Sequence, residues 1–377
     1  MRLRSIDILK LLTMFLVIWG HCVQFLLSSH YLDEPAYIYI YSFHMPLFMM
    51  ISGLFVKRFS LSASVQSVSS VGAKSPSVGA CFSYLLVKAR QLLLPCVAWG
   101  LLMSAANQLQ PLLTGTDAGM PLWRTLWMNF WFLKSLFVCF LLWVVSHMIC
   151  CRTWLAVILS LGASLFITEW SVQWMYPMFV IGAIVGGRLD AFRRVSLPVA
   201  IGCLLIGAVM LVWWNASCFR IPSVYALLDG SADNIAHALL MRLYKYLVNA
   251  SLSLGLIALF LHLDDLTPSV QSVSSVGEKS SSVGEKSVLS VLAGWGRLTL
   301  GIYIVHSLMF IVRERLFPSL LCCDALNPWL FNIAIAPLVA AVLLVISVGI
   351  TSFLTRLPYL SFFLLGTPWP AKSSRRS

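Results

Sequence analysis

Apolar residues fall along this chain in long runs separated by short polar stretches, and about ten of those runs approach the length a helix needs to cross a bilayer. They cover residues 7–27, 37–56, 91–108, 126–148, 153–168, 174–187, 197–215, 237–262, 291–312 and 328–354. The expected fold is all-α, a polytopic integral membrane protein with about ten transmembrane helices. Two interruptions differ from the rest: Ser64–Gly72 reads SVQSVSSVG, and the same nine residues recur at Ser269–Gly277. Both continue into further Ser-Val-Gly-Lys units and lack the aromatic and large aliphatic residues that bury a core, so flexible cytoplasmic loops are expected at about 60–80 and 267–288. The division is a transmembrane domain over 1–366 and a cytoplasmic tail over 367–377.

Composition agrees: 59% hydrophobic and 11% charged residues exclude a soluble globular domain. The net charge of +12 is distributed by side. With the N-terminus in the cytoplasm, seventeen Lys and Arg fall on the cytoplasmic side and only Arg124, Arg220, Arg313 and Arg315 fall in outer loops. That asymmetry puts both termini in the cytoplasm. It also accounts for the basic balance through topology and anionic lipid, so membrane lipid is an expected partner and nucleic acid is not. The first run is read as a retained span, because it is too long for a signal peptide, lacks a small-residue cleavage site and carries Lys10 and His21. The ten cysteines show no C-x-x-C spacing and point to neither a metal nor a redox centre.

Polar residues inside the runs carry the chemistry. The first holds Asp7, Lys10, His21 and Gln24. Eleven residues at about 100° each end about 20° past three whole turns, so Lys10 and His21 share a helical face roughly 16 Å apart along the axis. An ionisable group at membrane depth costs a few kcal/mol, so such a row faces a polar cavity or partners within a bundle. Asp7 lies about 21 Å from His21 on the same helix, too far for a dyad, and pairs instead with Lys10 at i, i+3. The second run holds Ser42, His44, Pro46 and Ser52. Its proline predicts a bend whose freed backbone groups the neighbouring polar side chains satisfy.

The order Asp7-Ile8-Leu9-Lys10, Gly20-His21, Ser42-Phe43-His44-Met45-Pro46-Leu47-Phe48 and Ile51-Ser52-Gly53 resembles the membrane-bound acyltransferase 3 family, above all its fucose 4-O-acetylase-like branch. Lys10 to His21 has that family's spacing of Arg or Lys, ten residues, then His. The likeness continues through Lys88–Pro95, Phe130–Phe137, Tyr176–Gly182, Gly296–His306, and Arg356–Leu360 with Leu365-Gly366. Lysine at position 10 offers a point charge where arginine would offer a fork.

The resemblance implies transfer of an acyl group, usually acetyl, from cytoplasmic acyl-coenzyme A to a sugar hydroxyl of a cell-surface glycan or lipid-linked precursor, in a bacterial cytoplasmic membrane. Acetyl-CoA is then a donor substrate, with no permanently bound cofactor and no metal. A sugar hydroxyl needs a base that works near neutrality, and His21 is the expected one. His44 either supports an oxyanion or orients His21, and Ser52 donates a hydrogen bond, unless both only satisfy the bend. Lys10, Arg58, Lys88 and Arg90 are expected to hold coenzyme A phosphates, although positive-inside anchoring alone explains the last three. Asp7, Tyr303 and His306 are further site candidates, with helix packing the plain alternative for the last two. Direct transfer is expected, since no serine or cysteine stands out as a nucleophile. The rival reading is a transporter or flippase for a lipid-linked glycan or small anion, which commonly shows repeated sets of spans not found here.

Overall fold

The computed structural model describes residues 3–27, 31–56, 78–114, 121–150, 152–230, 234–266, 288–316 and 327–369, and these are helical or connecting throughout. Both serine-rich repeats, Arg58 and the tail beyond 369 lie outside the described residues. In chain order the helices are α1 (Arg4–Leu26), α2 (Pro35–Tyr41), α3 (His44–Leu54), α4 (Val78–Thr114), α5 (Leu122–Met128) and α6 (Trp131–Ile149). Next come α7 (Thr153–Leu165), α8 (Val172–Gly187), α9 (Leu189–Arg194), α10 (Ser196–Leu211), α11 (Val224–Leu228) and α12 (Ile235–Leu266). The last are α13 (Val288–Gly296), α14 (Thr299–Leu316), α15 (Pro328–Leu330), α16 (Ala336–Thr355) and α17 (Pro358–Leu365).

Every apolar run of the sequence is occupied by helix, but not every helix is of spanning length. Among the described residues six stretches are long and apolar enough to cross a membrane: Arg4–Leu26, Pro35–Leu54, Val78–Ala105, Trp131–Ile149, Ile235–Leu266 and Pro328–Thr355. The pair α13 and α14, bent by 70°, makes a seventh if taken as one broken span. Helices α7, α8 and α10 hold 13, 16 and 16 residues. At 1.5 Å per residue they reach about 20–24 Å, short of a hydrocarbon core about 30 Å thick. The chain is an integral membrane protein.

The second run breaks where its polar residues are. α2 stops at Tyr41, the Ser42 hydroxyl donates to the Tyr39 carbonyl at 2.7 Å, and α3 begins at His44. The proline in this run predicts a bend near its polar residues, and the structure puts the break at Ser42-Phe43. Pro46 has no N–H for the Ser42 carbonyl four residues earlier, and it lies in the first turn of the new helix, where no N–H is needed.

Two compact units emerge, one of Met1–Phe55 and Ile181–Thr351, the other of Val56–Val180 and Ser352–Ser377. In the first, α1 is packed by α2, α3, α12, α13 and α14. Glycines let backbones approach there, as small residues do in membrane bundles. A Cβ on Gly296 would lie 1.8 Å from the Asp7 carbonyl oxygen, and Cβ atoms on Gly182 and Gly186 would lie 1.9 and 2.1 Å from the carbonyl oxygens of Met50 and Leu54. The four-residue spacing of Gly182-Ala-Ile-Val-Gly186 thus matches four residues of α3. Arg193 of α9 reaches Asp264 at 3.0 Å and Asp265 at 2.6 Å at the end of α12, and Asp264 also accepts from the Ser5 backbone N–H of α1.

In the second unit α4 packs on α5, α6 and α17, and α6 packs on α7. Lys134 is 8% exposed within α6, and its ammonium donates to the carbonyls of Leu126, Trp127 and Asn129, where α5 ends. The Trp99 indole donates to the Leu364 carbonyl at 3.0 Å, and Gly366 closes α17 in the left-handed conformation at φ +64°.

Candidate active site

The first unit gathers three histidines from three helices. His21 stands on α1, His44 opens α3, and His306 sits within α14. His44 and His306 adopt the same posture: each Nδ1 meets the carbonyl four residues earlier, Ile40 at 2.7 Å and Ile302 at 2.8 Å. Because a carbonyl only accepts, Nδ1 of each ring carries the proton, and in the neutral ring Nε2 is left as an acceptor.

Only one of the two acceptors is turned on His21. His306 Nε2 lies 3.2 Å from His21 Nδ1, with the ring planes within 23° of each other, so the imidazoles meet edge to edge. The assignment propagates: an accepting His306 Nε2 makes His21 Nδ1 the donor and leaves the lone pair of His21 on Nε2. A carbonyl, a buried imidazole and a second imidazole thus form a line that fixes the tautomer of its last member. His306 is wholly buried and His21 half-buried.

Aromatic rings wall the pair. Phe25 and Phe310 approach His21 edge-on at 5.6 and 5.9 Å, and Tyr303 meets His306 at 5.6 Å. Tyr41 lies 6.5 Å from His21 and 4.6 Å from His44, and its hydroxyl donates to Gln24 at 2.9 Å. Among the described residues the imidazole within hydrogen-bond reach of His21 is that of His306. The Ser52 hydroxyl donates to the Phe48 carbonyl in its own helix at 2.8 Å, which accounts for its proton within the helix.

At the start of α1, Lys10 Nζ sits 3.1 Å from Asp7 Oδ1 and 5.2 Å from the centroid of the Phe55 ring. The two charges line a cavity of about 270 Å3 together with Leu3, Phe55, Gly296, Arg297 and Thr299. Arg297 lies in the 70° break between α13 and α14, and Thr299 is the first residue of α14. Lysine, guanidinium and the N-terminal end of an 18-residue helix converge there, a combination that favours an anion. Arg297 escaped the sequence reading as a site residue, though it is the single charged residue of the run 291–312.

Lys88 and Arg90 belong to α4 in the second unit, where the Lys88 ammonium lies 4.5 Å from the Phe140 ring centroid and 5.5 Å from that of Tyr84. Both are half-buried, and Arg90 Nε is buried without a hydrogen-bond partner. Among the described residues no group of three His, Cys, Asp or Glu has the geometry to hold a metal ion.

A family model described as an acyltransferase domain matches residues 3–356, which include every helix that carries these side chains. No curated protein and no solved structure matches the chain.

Proposed function

The chain belongs to the acyltransferase 3 family, and on that premise we propose that this membrane acyltransferase moves an acetyl group from acyl-coenzyme A to a sugar hydroxyl, with His21 Nε2 as the general base. The observation that carries the reading is the contact between His306 Nε2 and His21 Nδ1, which leaves Nε2, on the other edge of the His21 ring, as its unprotonated nitrogen. His21 Nε2 takes the proton of the sugar hydroxyl as its oxygen attacks the thioester carbonyl. The tetrahedral oxyanion collapses, the carbon–sulfur bond breaks, and the leaving thiolate takes the proton back from the imidazolium. Ester and free coenzyme A thiol result, with no covalent enzyme intermediate.

The donor suits the other end of the helix. Lys10 and Arg297 are placed to hold phosphate oxygens, one as a point charge and one as a fork. The long pantetheine arm of coenzyme A separates its thioester from its phosphates. A phosphate site roughly 16 Å along α1 from His21 fits that separation. Basic residues clustered on one side of the expected spans support a cytoplasmic position for this end, on the side where acyl-coenzyme A is made, and a bacterial cytoplasmic membrane is the fitting location. Likeness to the fucose 4-O-acetylase-like branch favours a glycan, or its lipid-linked precursor, as acceptor.

The test is the O-acetyl content of envelope glycans in a deletion strain complemented with wild type, His21→Ala or Lys10→Ala at matched protein level. Restoration by wild type alone is the expected result, with turnover in His21→Ala lower by roughly 10²–10⁴. Full restoration by His21→Ala removes the base. Radiolabelled acyl-protein trapped in wild type and lost in His21→Ala replaces direct transfer by an acyl-histidine.

A further inference from the structure

We infer that a second cavity, at the end of α1 away from Lys10, grips an uncharged stretch of the acceptor glycan at a distance from the reacting sugar. The inference rests on the sugar-acceptor reading above and extends it. The cavity, of about 540 Å3, is within the range of small-ligand sites. Trp19, Tyr39 and Trp329 supply aromatic surface, and Asp33, Glu34 and Asn332 supply polar groups. Trp329 is 69% and Tyr39 46% exposed, so both rings are open to contact.

The polar wall is built rather than incidental. Asn332 lies in a π-helical turn, Phe331–Ile335, the kind of widened turn that recurs at functional sites. Its amide donates to Glu34 and to the Pro328 carbonyl at 2.8 Å, and its backbone carbonyl accepts from the Trp19 indole at 3.1 Å. Asn332 is 5% exposed, yet its Oδ1 has no hydrogen-bond partner. A buried acceptor left open is costly unless something donates to it.

This chemistry selects among occupants. Sugar C–H groups pack on the negative faces of aromatic rings, and sugar hydroxyls donate to carboxylate and amide oxygens. Among the described residues no Lys or Arg lines the cavity beside its two carboxyl side chains. A phosphodiester headgroup, a polyprenyl diphosphate or a uronic acid would place like charge against like, whereas a neutral sugar would not. Geometry fixes the role further. Trp19 and His21 are two residues apart, about 200° around α1, so the cavity opens on the opposite face of the helix from the base. It therefore takes sugars remote from the reacting hydroxyl, whose binding energy acts on capture of a long acceptor.

The experiment uses the full chain in nanodiscs with acetyl-CoA and three acceptor probes. These are the envelope glycan freed of O-acetyl groups by mild alkali, the same glycan with primary hydroxyls oxidised to carboxylates, and the methyl glycoside of its repeating sugar. Wild type is expected to show a KM at least tenfold higher for the oxidised glycan than for the neutral one. The double variant Asp33→Asn, Glu34→Gln, in which residue 34 keeps an oxygen for Asn332, is expected to lose most of that difference, a gain that misfolding cannot mimic. Trp329→Ala is expected to raise KM for the neutral polymer about tenfold while leaving KM for the single glycoside and for acetyl-CoA at wild-type values. Discrimination that survives in the double variant, or is absent from wild type, overturns the proposal. So does a polymer KM untouched by Trp329→Ala, or phosphatidylethanolamine that copurifies with wild type and is lost from the variants without a change in glycan kinetics. Failure of wild type to acetylate any of the three probes is a separate result, which overturns the sugar-acceptor reading itself.

Discussion

His306 holds His21 from 285 residues further along the chain, its Nε2 3.2 Å from His21 Nδ1 and its own Nδ1 fixed on the Ile302 carbonyl. On the proposed mechanism the contact supplies orientation and tautomer to His21, and His306 is a positioning residue. Replacing His306 by Ala is expected to lower kcat on the order of 10²-fold, the scale of a misplaced catalytic group. KM for acyl-CoA should stay unchanged. Steady-state kinetics of the purified variant separate the two, and a variant that loses donor binding instead would make His306 part of the donor site.

Lys10 and Arg297 predict the complementary pattern. Removing one charged hydrogen-bonding partner of a phosphate weakens binding by about 1.5–3 kcal/mol, or roughly 10–100-fold in KM for acyl-CoA. Lys10→Ala and Arg297→Ala should each show that rise with a smaller change in kcat. Lys10→Arg should retain most of the affinity, since guanidinium keeps the charge beside Asp7 and adds a fork.

Gly182 and Gly186 are expected to fail as alanines for a steric reason. Each new methyl would fall about 2 Å from a backbone carbonyl of α3, at Met50 and Leu54, and a backbone cannot swing aside as a side chain can. Each substitution should destabilise by about 1–3 kcal/mol, read as a lower thermal midpoint in detergent. Gly162→Ala and Gly202→Ala, where nothing lies within 4 Å of the new atom, are the controls and should melt as wild type.

Lys134 illustrates a buried charge whose work is structural. Its ammonium closes the end of α5 by donating to three carbonyls. Lys134→Met keeps the length of the stem and leaves those carbonyls without their donor. A loss of at least about 1.5–3 kcal/mol is expected in thermal unfolding. KM for acyl-CoA of the folded fraction should not change, and a selective rise in that KM would show that Lys134 reaches the donor.

How much of this was legible beforehand depends on the range of the interaction. Apolar runs located the long helices, because burial against lipid or protein is recorded residue by residue in the sequence, whereas the short α9, α11 and α17 lie outside the runs. Lys10, Asp7 and His21 could be placed on one face from helical periodicity alone. The proline in the second run announced a bend, but local hydrogen bonding by Ser42 decided where the helix stops. Between His44 and His306 the sequence offered no choice, since spacing within one helix says nothing about which distant helix will stand beside it. Arg297 stayed hidden for the same reason: its meaning depends on the 70° break, where it lines the same cavity as Lys10. The Gly-x-x-x-Gly spacing at 182–186 was readable as a close-packing signal and went unread.

The seating of Asp7 against Gly296 bears on biosynthesis. α1 leaves the ribosome long before α12, α13 and α14, which later enclose it. During that interval its polar groups rely on partners already made: Asp7 for Lys10, the Leu9 carbonyl for the Thr13 hydroxyl at 2.7 Å, and soon afterwards Tyr41 for Gln24. His21 alone of this row waits for the last third of the chain, when His306 arrives. A nascent chain that stops short of α14 lacks the ring that, on the proposed mechanism, sets the base, so that orientation is gained only once α14 has been made.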